Sequence, residues 1–235
     1  MDYFIDKQTT VGRTRVRLIT IATGLIALLG AAGPAMAHHP LGGRAPADLF
    51  EGVVSGFAHP IIGLPIIGCA KPDTTPSNRS AGARPIIGLD HFAFLLAIGL
   101  LAVGQPRRYW IPAAFVLATV AGTTVHLTGM NLVPVEAVVA LSVVLSGALL
   151  VAYRRYRPSL LLALGGVAGL FHGYAYGEAI VGAENTPLFA YLAGFSIIQF
   201  VVMATAIWAG GRVVQTVSEQ TSRTLVRVTG SAISA

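Results

Sequence analysis

Apolar residues in this chain come in long unbroken runs, with the polar residues in short clumps between them. Past residue 85, five runs approach or exceed the ~20 residues that a helix needs to cross lipid hydrocarbon: 86–104, 108–128, 133–153, 159–180 and 188–210. The runs are continuous instead of alternating, so they predict helices and not barrel strands. Helices also satisfy their own backbone groups where no water is available. The connections are short, which predicts that successive helices pack as antiparallel neighbours. The expected fold is all-α, a polytopic helical membrane bundle of five to six transmembrane helices after an N-terminal signal peptide.

Arginine placement orients the bundle. Arg107 and Arg108 follow the first run, Arg154, Arg155 and Arg157 the third, and Arg212 the fifth. The connections around Asn131 and Glu184 carry neither Lys nor Arg. The positive-inside rule then places the exits of the first, third and fifth spans in the cytoplasm of a bacterial inner-membrane protein. That needs a periplasmic start, and the N-terminus supplies one. Lys7, Arg13, Arg15 and Arg17 precede the apolar stretch Leu18–Leu29, and Ala35-Met36-Ala37 has the small-x-small form of a cleavage site. Residues 1–37 are therefore expected to be a signal peptide whose removal leaves a periplasmic mature N-terminus at His38-His39-Pro40.

The organisation expected for the rest is a periplasmic segment at 38–85, the bundle at 86–211 and a tail at 212–235. The tail turns small and apolar at Val228–Ala235 and reads as a sixth helix that stops after about two turns, or as a frayed end. Within 38–85, Pro60-Ile61-Ile62-Gly63-Leu64 recurs as Pro65-Ile66-Ile67-Gly68-Cys69 and again as Pro85-Ile86-Ile87-Gly88-Leu89, with the loop-like stretch Ala70–Arg84 before the last copy. An extra span at 50–70 would flip every later arginine cluster to the periplasm. That stretch is expected instead to be re-entrant or surface-lying, broken by Pro60 and Pro65.

Composition agrees with lipid as the solvent. The chain is 54% hydrophobic and only 11% charged, where a soluble domain carries about a quarter. Its net charge of +6 lies at the ends of apolar runs and forms no basic face, which argues against nucleic acid. The lone Cys69 cannot form an internal disulfide and reads as an apolar filler.

The candidate chemistry is in the ionisable residues of the spans, all of which the topology puts in the outer half of the bilayer. Asp90 and His91 open the first span, His126 closes the second, Glu136 opens the third, and His172 and Glu178 close the fourth. Such residues cost about 2.5–3.5 kcal/mol each on insertion, so each asks for a reason. His126 could simply snorkel, and Glu136 could simply complement a helix dipole. A carboxylate beside an imidazole in an apolar run rarely serves packing, which singles out Asp90 with His91 and His172 with Glu178. Mixed imidazole and carboxylate ligands suit nickel, cobalt, zinc or iron. Gly165, Gly169, Gly173 and Gly177 form a small-residue ridge for close helix approach.

Phe171-His172-Gly173-Tyr174-Ala175-Tyr176-Gly177-Glu178 resembles the signature Phe-His-Gly-x-(Ala/Val)-x-Gly-Glu of the HupE/UreJ family, bacterial nickel or cobalt permeases associated with hydrogenase and urease. That family's other signature, HPxxGxDH, is present but split: His59-Pro60-Ile61-Ile62-Gly63-Leu64 gives its start and Gly88-Leu89-Asp90-His91 its end. Removing residues 65–89, or 60–84, restores it. The resemblance implies a permease that takes Ni2+ or Co2+ from the periplasm through His59, Asp90, His91, His172 and Glu178, with His126 and Glu136 as weaker candidates. It implies the metal ion and lipid as partners and no tightly bound cofactor. A homo-oligomer stays open. Two rivals remain at this point: an intramembrane metal-dependent hydrolase, and a non-transporting or decayed assembly accessory.

Overall fold

The computed structural model describes residues 45–58, 87–132, 134–177 and 180–234, with 87–90 described by their backbone. All lie within one compact unit, Met36–Ala235. Residues 1–37, expected to be a signal peptide, His59, the repeated prolines and Glu178 fall outside the described residues.

The described residues form seven helices: α1 Leu49–Ala58, α2 Ile87–Leu101, α3 Trp110–Leu127, α4 Val135–Ala152, α5 Pro158–Gly177, α6 Asn185–Thr216 and α7 Glu219–Ser234. No strand occurs among them. The helix starts follow local chemistry. Pro112, Pro158 and Pro187 each sit in a first turn, where a missing N–H leaves no helix bond unmade. The ends use left-handed backbone at Gly129 and at Tyr153, whose φ values are 78° and 48°.

Four helices, α3 to α6, are long and apolar enough to cross a membrane. Their outward side chains include Leu117, Val167, Ile197 and Trp208, all more than half exposed, as lipid-facing positions require. The chain is a multi-pass membrane protein. The arginine-bearing connections share one end: Gln105 Nε2 donates to the Tyr156 carbonyl at 3.2 Å, joining the loop after α2 to the loop after α4. At the other end, Tyr174 Oη donates to the Met130 carbonyl at 2.8 Å.

The pairing of helices differs from the expected succession of antiparallel neighbours. The most intimate pairs are α3 with α5, α1 with α6 and α4 with α7. The glycines explain this. A Cβ at Gly169 would lie 2.6 Å from the Phe115 carbonyl oxygen, and one at Gly173 would overlap the Thr119 backbone. Helix α3 is therefore drawn onto the glycine ridge of α5, parallel to it, with Ile111, Phe115, Thr119 and His126 beside Gly165, Gly169, Gly173 and Gly177. Thr123 Oγ1 adds a hydrogen bond to the Gly173 carbonyl at 2.7 Å. Uniformly apolar helices give no sign of which neighbour they prefer, so close approach at small residues decides.

Helix α2 occupies the centre and touches every helix from α3 to α7. Its Phe94, Leu95, Ala97 and Ile98 have no exposed surface. It rests on α6 where Gly99 meets Met203 and Ala206. The 50–70 segment, expected to be re-entrant or surface-lying, contributes α1, a ten-residue helix seated on α6 through Gly52 and Gly56. In the tail, α6 continues to Thr216, and of the two expectations, a short sixth helix or a frayed end, a helix is present at residues 219–234. Gly230 of α7 packs against Gly147 of α4.

Gly169→Ala should destabilise the purified protein by about 1–3 kcal/mol, because the added methyl meets backbone that cannot yield. Gly166→Ala, where a Cβ meets nothing within 4 Å, should be neutral or gain up to ~1 kcal/mol. Unfolding in mixed micelles titrated with a denaturing detergent would separate the two.

Candidate metal site

The glycine ridge of α5 also aims His172. With Gly169 and Gly173 against α3, the histidine between them turns away from that seam toward α2 and α4. His172 is fully buried and His91 is 6% exposed. Their ring centres lie 4.8 Å apart with planes at 70°. Ser142 Oγ of α4 is 2.9 Å from His172 Nε2. The pair and Ser142 thus join three helices, α2, α4 and α5.

Aromatic rings enclose it. Tyr176 lies 4.6 Å from His91, on the side of the arginine-free end. Phe94 lies 4.5 Å from His172 and 5.3 Å from Phe115. Phe94 follows His91 along α2, and Phe115 precedes Thr119 along α3, so both stand on the arginine side of the histidines. They make an apolar floor. Behind Tyr176, Phe195 and Tyr191 of α6 continue the wall, with Tyr191 and Phe195 stacked. Gln199, also fully buried, meets Thr119 Oγ1 at 3.1 Å.

The spacing fits two imidazoles sharing an ion. A metal ~2.1 Å from a ring nitrogen lies ~3.2 Å from that ring's centre, so two cis ligands place their centres ~4.5–5.2 Å apart. The observed 4.8 Å falls inside this window. Among the described residues no three His, Cys, Asp or Glu side chains come together as a metal-holding group. Asp90, whose helical backbone immediately precedes His91, and Glu178, which follows the last residue of α5, are next to the pair in sequence. Their side chains, like His59, lie outside what the structure describes.

The two weaker candidates stand apart from the pair. His126 packs against Gly177, where an added Cβ would lie 2.6 Å from the His126 Cβ, and its ring centre lies 4.5 Å from that of Tyr174. It lies two helical turns outward from Thr119, ~10 Å along α3. Glu136 is exposed in the first turn of α4, a similar distance outward from Ser142. The residues expected together in the outer half of the bilayer therefore occupy two levels, an outer rim and an inner pair.

The sequence reading missed Ser142, Thr119, Gln199 and Tyr176. A signal was present for two of them. Gln199 is the one amide in its apolar run, and Ser142 with Ser146 puts two hydroxyls on one face of an otherwise aliphatic helix.

Three comparisons with known proteins bear on this site. A family model described as HupE / UreJ protein matches residues 77–235. Protein HupE of Rhizobium leguminosarum bv. viciae is 33% identical over 138 residues, which cover 57% of this chain and 71% of that protein. No solved structure matches.

The burial pattern sets an order of chemical reactivity. In membranes treated with a histidine acylating reagent, the half-buried His126 should be modified well before His91 and His172, read by peptide mass spectrometry. Equal rates at the three would mean that the pair is open to water.

Proposed function

The chain belongs to the HupE / UreJ protein family, and from that premise we propose that it is a metal permease carrying nickel or cobalt ions from the periplasm to the cytoplasm. The ions would serve the maturation of hydrogenase or urease. The observation that carries this reading is the buried His91–His172 pair, drawn from two helices to metal-sharing distance in an otherwise apolar interior.

The two-level arrangement suits passage. An ion arriving at the arginine-free end meets His126 and Glu136 at the rim, where water still completes its shell. Moving inward, it exchanges water for His91 and His172. Asp90 and Glu178 are placed by sequence to supply carboxylate oxygen on the same side. Several weak sites in series allow an ion both to bind and to leave, which one closed cage does not. Imidazole and carboxylate ligands favour nickel or cobalt over magnesium and calcium, and do not by themselves separate nickel from cobalt or zinc. Phe94 and Phe115 close the inner side, so release toward the cytoplasm requires these rings to part.

His91→Ala and His172→Ala should each lower cellular uptake of radioactive nickel at limiting concentration by tenfold or more, with the protein still present in the membrane. Native-level uptake by either variant would defeat the reading. A stoichiometric zinc retained through purification, with a hydrolytic activity lost on chelation, would replace it with a hydrolase.

A further inference from the structure

The pair has an asymmetry that a list of ligands does not express. A histidine offers a metal only one nitrogen at a time, and the proton on the other decides which. At His172 the neighbouring serine makes that decision. Ser142 Oγ lies 2.7 Å from the Val139 carbonyl oxygen, one turn back in α4, and 2.9 Å from His172 Nε2. The hydroxyl has a single proton. A carbonyl can only accept, so the contact at 2.7 Å takes that proton. The same backward bond recurs one turn on, where Ser146 Oγ donates to the Val143 carbonyl at 2.8 Å. The Ser142 oxygen is left to accept, and the donor facing it is Nε2–H.

A metal-ligating imidazole is neutral and carries one N–H. With the proton on Nε2, the lone pair is on Nδ1. Nδ1 of His172 is buried and has no hydrogen-bond partner among the described residues. Leaving such an atom unsatisfied costs about 1–3 kcal/mol in a protein interior. Rotating the ring would not relieve this, because it would break the Ser142 contact.

We infer that Ser142 is a positioning residue that holds His172 as the Nε2–H tautomer, and that Nδ1 is the atom His172 presents to the transported ion. The assignment rests on the permease reading for its second half only, since the tautomer is a property of the metal-free protein. Ser142 touches no ion. It acts through His172, as partners behind metal-bound histidines do, and the loss of such a partner lowers metal affinity 10–100-fold.

The test uses the full chain with isotopically labelled histidine, reconstituted in lipid nanodiscs without metal. Nitrogen NMR reports which ring nitrogen bears the proton, and His172→Gln identifies the His172 signals by their loss. The native protein should show Nε2–H at this position. Ser142→Ala should give a mixture of tautomers, and Ser142→Thr, which keeps the hydroxyl, should restore the native one. In cells, Ser142→Ala should raise the nickel concentration for half-maximal uptake about tenfold or more, with Ser142→Thr close to native. An Nδ1–H tautomer in the native protein overturns the assignment, as does native uptake by Ser142→Ala. If His172→Gln itself leaves nickel uptake intact, the permease site is what fails, and the metal-free tautomer still reports on Ser142 separately.

Discussion

The rest of the structure depends on how closely α3 and α5 approach each other. Their backbones meet at Gly169 and Gly173 at separations that no side chain would allow, while Gly165 makes ordinary contact with Ile111 and Gly177 receives the His126 side chain. Without a hydrophobic drive between helices in lipid, such contact is what holds a pair together. It also fixes the rotation of α5 about its axis. Once the glycines face α3, His172 has to face α2 and α4. An imidazole that could have turned to any neighbour is thereby committed to His91 on one side and Ser142 on the other. The thirty-two-residue α6 plays the complementary part, as the strut on which α1 and α2 lie parallel through Gly52, Gly56 and Gly99.

The existence and extent of the spans were legible in the sequence. The five apolar runs correspond to α2 to α6 within a few residues at most ends, because a membrane span is a length and a composition, both visible in one dimension. The common end of the arginine loops was legible for the same reason. The pairing of helices was not. Helices apolar on every side carry no amphipathic stripe to point at a partner, and short connections suggested neighbours that the glycines overrule. The ridge on α5 announced a close contact, yet nothing in the chain said it would be met by Phe115 and Thr119 of α3.

The site was legible in part for a related reason. Ionisable residues in apolar runs stand out because they are costly, so His91 and His172 were found, and they do meet. His126 and Glu136 stood out equally and lie further out, because position along a helix shows depth only to within the tilt and offset of each helix. Ser142 was missed because a serine costs little in a helix, where its hydroxyl can bond the preceding turn. That same habit gives it a role: with its proton committed backwards, it can only accept from a histidine. The packing of the tail was not legible either: α7 is held by Gly230 against Gly147 and by Tyr153 near Ser222, contacts with no signature in mean hydropathy.

The charge of the ion ties these parts together. Two neutral imidazoles supply lone pairs but leave a doubly positive charge uncompensated in an apolar interior, where an unpaired ion costs several kcal/mol at the least. The phenylalanine floor deepens that cost by keeping water from the inner side. On the permease reading, the ion would therefore reach His91 and His172 only in the company of carboxylate. The acids nearest the pair in sequence are Asp90, beside His91, and Glu178, six residues after His172. On that reading, the imidazoles would select the metal by ligand type, the carboxylates would admit it by charge, and the aromatic floor would hold it until helix motion opens the other side. Carboxylates on the outer side of the pair would, on the same reading, make the inward step the one that weakens the grip.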